Sequence, residues 1–404
     1  MPTRRELLHL TGAGAIALGL GCRGRGPAEP PPPEPSPAVP PAPPAPPLAA
    51  TDDAALDEVL EMLHAQEPRS KQGLSTHAPM VAEALCALGF AHRARPWVEG
   101  YAAPVIVVPS PGQRIERDRW REVLGPASGA PTWEAQIARW GDWKLLFLEE
   151  LRDARWQDVL DLWVGRLAPG LAAAATHGVI RTAHAARALA RRDTAVRRAE
   201  LARGLAYWAA AYEELPVRAA ASPRAADFEA ALAQIPLCSD RSGGAPRRSV
   251  VAGLRDVAGL AGFADARDLV AVPANLGAGL SALTATFARV FLRHGTGDAA
   301  VALVHAITAP CALRRIATHV SPGTARLAFP YAWQAAAALY AGYARRDAPA
   351  RPAEPKLPVT ELPGRAVENG ADHAIKLVEA LLAEHALRPD PAYLAAAEAA
   401  VARL

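Results

Sequence analysis

The sequence predicts an all-α fold, a single large helical-bundle-like domain placed behind a signal segment and a proline-rich linker. Three observations point there. Beyond Thr51, apolar residues recur at helical intervals instead of alternating. The only run with strand character, Val105-Ile-Val-Val-Pro109, is short. The chain has 404 residues, and once the unpackable N-terminal stretch is set aside roughly 350 remain, enough for one large core. The expected organisation is a signal segment over 1–22, a disordered Pro/Ala-rich linker over 23–50 and a helical domain over 51–404.

The segment Thr3-Arg4-Arg5-Glu6-Leu7-Leu8-His9 has the form of a twin-arginine export signal. The glycine-rich apolar stretch from Leu10 to Gly21 is too short for a stable membrane span. Leu18-Gly19-Leu20-Gly21 then precedes Cys22 as in a bacterial lipoprotein cleavage box, with Gly19 where a larger aliphatic residue is expected. Pro27 to Pro47 is mostly proline and alanine, an extended spacer. The expectation is an exported protein, periplasmic or membrane-anchored through lipid on Cys22. The alternative is a cytoplasmic N-terminus with two chance arginines.

The helices follow in order. Leu56, Val59, Leu60 and Leu63 form one stripe. Ser75 to Leu88 reads as a helix with a serine or threonine cap, Pro79 in its first turn and Gly89 as its stop. Trp133 to Trp163 is largely helical, with its indoles as core. Pro169-Gly170 breaks the chain before a helix running through His177 and His184 to about Arg191, and another spans about Thr194 to Glu214. Cys238 to Pro246 reads as a loop, and Ala271 to Leu276 as a break between two helices. Ala299 to Ile307 is helical, Pro310 interrupts, and a helix resumes through Leu313 to His319. Ala325 to Arg345 and Asp372 to His385 flank the proline-rich stretch Ala348 to Pro363, and Pro391 to Leu404 closes the chain.

Composition removes several functions. A net charge of +3 without a basic run argues against nucleic acid. Cys22, Cys86, Cys238 and Cys311 lie far apart, with no CxxC pair, so neither a zinc site nor a disulfide framework is indicated. HExxH and a glycine-rich phosphate loop are absent.

What remains is histidine. His77 stands at a helix N-terminus, where the dipole favours the neutral imidazole a metal needs. His177 is followed by Gly178, a mid-helix glycine that suggests close approach of another group. His177 and His184 share a face but are about 10 Å apart along the helix, so at most one serves a given ion; the same holds for His305 and His319. His64, His92, His294 and His385 read as surface or turn residues. A ligand set would therefore come from different helices: His77, His177, His305 and His373, with Lys376 as its anionic member. Lys376 is one of only four lysines among 44 basic residues. A buried lysine amine can lose its proton and react with carbon dioxide to give an anionic carbamate, which arginine cannot do. Taken singly, each histidine also reads as a hydrogen-bonded core or surface imidazole. Asp372 and Lys376 equally read as a solvated i,i+4 pair with Glu379 beside it.

Five short motifs occur in an order that resembles the questin-oxidase-like family of oxidoreductases: Gly73-Leu-Ser-Thr-His-Ala-Pro-Met80, His177-Gly-Val-Ile-Arg181, Leu205-Ala-Tyr-Trp208, His305-Ala-Ile-Thr-Ala-Pro310 with Ala312-Leu-Arg314, and Asp372-His-Ala-Ile-Lys376. Thr76 stands where that pattern has asparagine, and the export signal lies outside it. The resemblance implies a helical oxidoreductase that opens or oxygenates a ring of an aromatic or quinone-like small molecule, using dioxygen. It implies a non-haem Fe(II) held by His77, His177, His305 and His373 and by carboxylated Lys376. His373 and Lys376 are the residues it places at the chemistry. It also leaves open an NADPH-dependent Baeyer–Villiger-type monooxygenase. A helical envelope lipoprotein without catalysis is the alternative from another class. Tyr101, Tyr207, Trp208, Tyr331 and Trp333 are candidates to wall an aromatic pocket, or plain core.

Overall fold

Fifteen α-helices carry the chain among the described residues of the computed structural model, which are 50–64, 67–68, 75–101, 105–106, 111–126, 138–218, 223–240, 249–349 and 354–404. The signal segment with Cys22 and the linker as far as Ala49 lie outside them, as does Trp133. The helices are α1 (Ala50–His64), α2 (Ala78–Ala87), α3 (Ala94–Gly100), α4 (Trp140–Asp153), α5 (Trp156–Leu167), α6 (His177–Arg191), α7 (Ala195–Ala210), α8 (Phe228–Gln234), α9 (Val250–Ala258), α10 (Leu276–His294), α11 (Asp298–Ala317), α12 (Pro322–Tyr343), α13 (Leu362–Asn369), α14 (Asp372–Leu387) and α15 (Pro391–Arg403). The run with strand character does pair, for two residues only: Val105–Ile106 lies antiparallel to Glu67–Pro68. The fold is all-α.

Four helices form the centre. α2 packs on α6, α6 on α11, α11 on α14, and α14 back on α2. Around this closed cycle, α7 covers α6, α4 covers α7, α10 and α12 flank α11, and α15 lies on α14. Small residues let the helices approach. A Cβ on Gly178 would stand 2.6 Å from Cβ of Trp208, and one on Gly204 would stand 3.0 Å from the Thr182 backbone. That is the close approach the glycine after His177 suggested. Trp140, Trp143, Trp156 and Trp163 are core, as are Cys86, Cys238 and Cys311.

Several expectations change, among them the cap of α2, which is His77 and not a serine or threonine. Pro310 does not interrupt: α11 runs unbroken from Asp298 to Ala317. A proline in a helix interior costs about 3 kcal/mol. Leu303, Ile307, Leu313 and Ile316 on the same helix are fully buried, and each contributes about 1.5–3 kcal/mol, so packing outweighs the lost hydrogen bond. Leu362 to Asn369, at the end of the proline-rich stretch, forms α13, with Pro363 in its first turn and Gly370 left-handed at its end. His294 is buried, not at the surface; it accepts a hydrogen bond from Arg345 N and meets Tyr340 edge-on. α11 is also long and apolar enough to cross a membrane, yet most of it is buried within the protein.

Candidate metal centre

The chain delivers four imidazoles to the N-terminal side of the central helices. His77 is the N-cap residue of α2, His177 the first residue of α6, and His373 the second residue of α14. His305 enters from the eighth position of α11. His177 therefore opens its helix and does not sit in its middle. The backbone before it accounts for the difference: Ala174, Ala175 and Thr176 are all left-handed, with φ of 47°, 56° and 64°. None is glycine, so each costs about 1–2 kcal/mol. Strain of this kind persists where surrounding packing over-determines it, and it clusters at functional sites. It turns the Ala174 carbonyl back to accept from His177 Nδ1 at 2.7 Å.

The rings form a closed cycle that mirrors the helix cycle. Centroids are 4.9 Å apart for His77 and His177, 4.8 Å for His177 and His305, 5.2 Å for His305 and His373, and 4.7 Å for His373 and His77. Each Nδ1 has an oxygen partner. His177 uses Ala174 O, and His305 uses Val301 O at 2.9 Å. His77 Nδ1 meets Asp372 Oδ2, and His373 Nδ1 meets Asp372 Oδ1 at 2.6 Å. One ligand-type atom from each of His77, Asp372 and His373 lies within 4.8 Å of the other two.

These partners fix the protons. A carbonyl oxygen or an ionised carboxylate can only accept, so every one of the four Nδ1 atoms must donate. Burial pushes the Asp372 carboxyl up, but the hydrogen bonds from His373 and His77 outweigh it and hold it well below the ordinary carboxylate range. Each neutral ring is thereby left with a bare lone pair on Nε2. His77 and His177 Nε2 face each other at 2.7 Å, and His373 Nε2 is buried with no hydrogen-bond partner among the described residues. Two lone pairs at that separation repel unless a cation serves both. A proton is a poor candidate: burial, then the charge of Lys376, lowers His77 to about 3. Burial pushes His177, His305 and His373 down as well. A metal ion suits the arrangement, because nitrogens 2.7 Å apart can both lie about 2.0–2.2 Å from one ion as adjacent ligands.

Lys376, one turn beyond His373, is 3 % exposed. Burial lowers its amine to about 8 against the pull of Asp372, and its charge depresses all four imidazoles. The solvated Asp372–Lys376 pair is therefore not what the structure contains. Asp372 turns to the two histidines, and Glu379 is buried. His92 is exposed, His184 bonds Glu83, and His319 packs on Trp156, so none joins the ring. Of the aromatic candidates, Tyr101 stands beside the site; burial and then the Asp372 charge push its phenol up to about 12. Tyr207 accepts from Ser75 N, and Arg181 donates to Ser75 Oγ, which steadies the segment leading into His77. Trp208 fills the space over Gly178. Trp333 bonds Ala266 O, and Arg267 lies over the Tyr331 ring.

Farther along the same four helices lies a second polar layer the sequence reading missed. Glu83 (α2) accepts from His184 at 2.7 Å and from Arg187, both on α6. Glu379 (α14) accepts from Arg187 and from Arg315 of α11. Arg315 also reaches His184 Nε2 at 3.3 Å. On every helix this layer lies downstream of the ring, so the four run parallel, with the positive ends of α2, α6 and α14 at the imidazoles. Beyond it a cavity of about 250 Å³ opens between α11 and α14, lined by Arg187, Cys311, Arg315, His319, Ala380 and Leu387 among others.

Comparison with known proteins finds no family whose model matches the chain and no curated protein that matches it.

Proposed function

We propose that this protein is a non-haem iron-dependent oxidoreductase of the questin-oxidase-like kind. In this reading His77, His177, His305 and His373 hold iron(II), and carboxylated Lys376 adds an oxygen donor. Dioxygen and an aromatic or quinone-like small molecule are the reactants. The observation that carries it is the set of four imidazoles with every Nδ1 committed to an oxygen. Four lone pairs on rings packed against one another, with no proton on any of those Nε2 atoms, are what a metal site needs when outer partners orient its ligands. Imidazole nitrogen suits several first-row metals; the choice of iron comes from the motif resemblance.

Iron(II) so held supplies dioxygen activation beside an electron-rich ring. The chain's own residues do the rest. Asp372 sets the orientation of His77 and His373 and places one negative charge behind them. Burial brings the Lys376 amine to about 8, so part of it is neutral near pH 7.5. The neutral amine adds to the carbon of carbon dioxide, forming an N–C bond and releasing one proton, which leaves an anionic oxygen on the same flank as His373. The N-terminal ends of α2, α6 and α14 favour that negative charge. Export by the twin-arginine signal and lipidation of Cys22 belong to the same reading. Cys22→Ala would then release the protein from the membrane fraction.

The test is oxygen uptake by iron(II)-loaded protein given an anthraquinone, with and without a chelator. Uptake that requires both iron and the anthraquinone is the expected result. Turnover that needs NADPH and survives chelation would replace this reading with the metal-free monooxygenase. Protein that retains no metal and consumes no oxygen would leave a helical binding protein.

A further inference from the structure

The ring is held in two different ways. His177 and His305 donate to main-chain carbonyls, Ala174 O and Val301 O, which no side-chain substitution removes. His77 and His373 both depend on one replaceable group, the Asp372 carboxylate, one oxygen to each ring. Asp372 is the first residue of α14 and His373 the second, whereas His77 arrives from α2. The carboxylate therefore ties two helices and two proton positions together. We propose that Asp372 is the positioning residue of the site, fixing the number of lone pairs the ring offers to a metal; this rests on the metal-site reading above.

An amide in place of this carboxylate would break the arrangement. A carboxylate offers two acceptors, so both Nδ1 atoms keep their protons and both Nε2 atoms stay bare. Asparagine offers one acceptor and one donor. The imidazole facing its NH2 must present a lone pair at Nδ1, and its proton moves to Nε2. The ring then loses one of its four donors although no ligand has been changed. Outer-shell substitutions at metal histidines typically cost about 10–100-fold in affinity, and the loss here belongs at the upper end because a donor disappears.

The experiment uses full-length, metal-free protein labelled with 15N-histidine. Long-range proton–nitrogen spectra report which ring nitrogen carries the proton, and cobalt(II) titration reports affinity. In the wild type all four rings are expected as Nδ1–H. In Asp372→Asn either His77 or His373 moves to Nε2–H, His177 and His305 stay, and cobalt affinity falls about 100-fold. An Nε2–H signal at His77 or His373 in the wild type would overturn the proposal without any variant, so it stays testable if Asp372→Asn folds poorly. Unchanged tautomers and unchanged affinity in Asp372→Asn would overturn it too. If the wild type shows the four Nδ1–H rings but takes up no cobalt, the metal reading fails while the positioning role stands.

Discussion

Two buried polar layers cross the same four helices, and they differ in whether the protein completes them. In the layer of Glu83, His184, Arg187, Arg315 and Glu379, each carboxylate meets two or more donors, and the neutral imidazole donates at one nitrogen and accepts at the other. In the ring, the acceptors lie behind the imidazoles and the lone pairs are turned inward. The first layer is closed by protein charge alone; in the second, Nε2 of His77 faces Nε2 of His177 and Nε2 of His373 has no hydrogen-bond partner among the described residues, the feature on which the proposed metal site rests. Both layers are largely buried and both are polar, so the direction of the hydrogen bonds is what sets the closed cluster apart from the proposed metal site.

Substitutions should divide along the same line. His177→Ala should have the largest effect on metal, lowering affinity by more than the roughly 100-fold upper range of outer-shell changes. Iron analysis after dialysis is the check, and full retention would dissolve the contrast between the layers. Glu379→Ala should do the reverse, leaving Arg187 and Arg315 buried beside a missing partner. Breaking such a pair costs about 3–5 kcal/mol, to be read from urea unfolding. A loss under about 1 kcal/mol would mean that the ion-paired layer is not closed by its own charges.

Gly178→Ala comes next, because its Cβ would meet Trp208 at 2.6 Å. Overpacking of this kind costs about 1–3 kcal/mol, and it pushes on the residue next to His177. Both thermal stability and cobalt affinity should therefore drop; a change in stability alone would show the ring to be insulated from the α6–α7 contact.

Acid should weaken both layers with one sign. Folded His77 and His184 are held neutral, down to about 3 and about 4 against an unfolded value of 6.5, burial being the largest cause. Between 6.5 and those values the unfolded chain takes up protons that the folded chain refuses. Stability is then full above 6.5, falls as pH drops through this window, and levels off once the folded groups protonate. Each such group contributes up to about 1.4 kcal/mol per pH unit. Unfolding midpoints across pH 4–7 give the slope, and His184→Gln should make it shallower. The smallest expected change is a gain: Ala175→Gly relaxes a left-handed residue and should raise stability by about 0.5–1 kcal/mol. A loss in thermal melts would mean the turn before His177 is not strained.

Much of this architecture was legible because it is local. Periodic stripes such as Leu56, Val59 and Leu60 mark helices, and the rule that ligands seven residues apart cannot share an ion separated His177 from His184. Other features had no local signal. Nothing at Ala174 to Thr176 announces a left-handed turn, since the residues that favour one are absent and tertiary packing imposes it. Asp372 had a competing partner in Lys376 four residues on, and only the arrival of His77 from α2 redirects it. Pro310 reads as a break until the burial of both halves of α11 is known. The ion-paired layer depends on contacts between residues 64 or more positions apart, such as Arg315 with Glu379 and Glu83 with His184.

The most direct measurement is X-ray absorption on protein loaded with iron(II). The proposed iron site requires one iron per chain, nitrogen and oxygen neighbours at about 2.0–2.2 Å, and the outer-shell scattering of several imidazoles, lost in His177→Ala. Iron bound without imidazole scattering, or no iron bound at all, would contradict it.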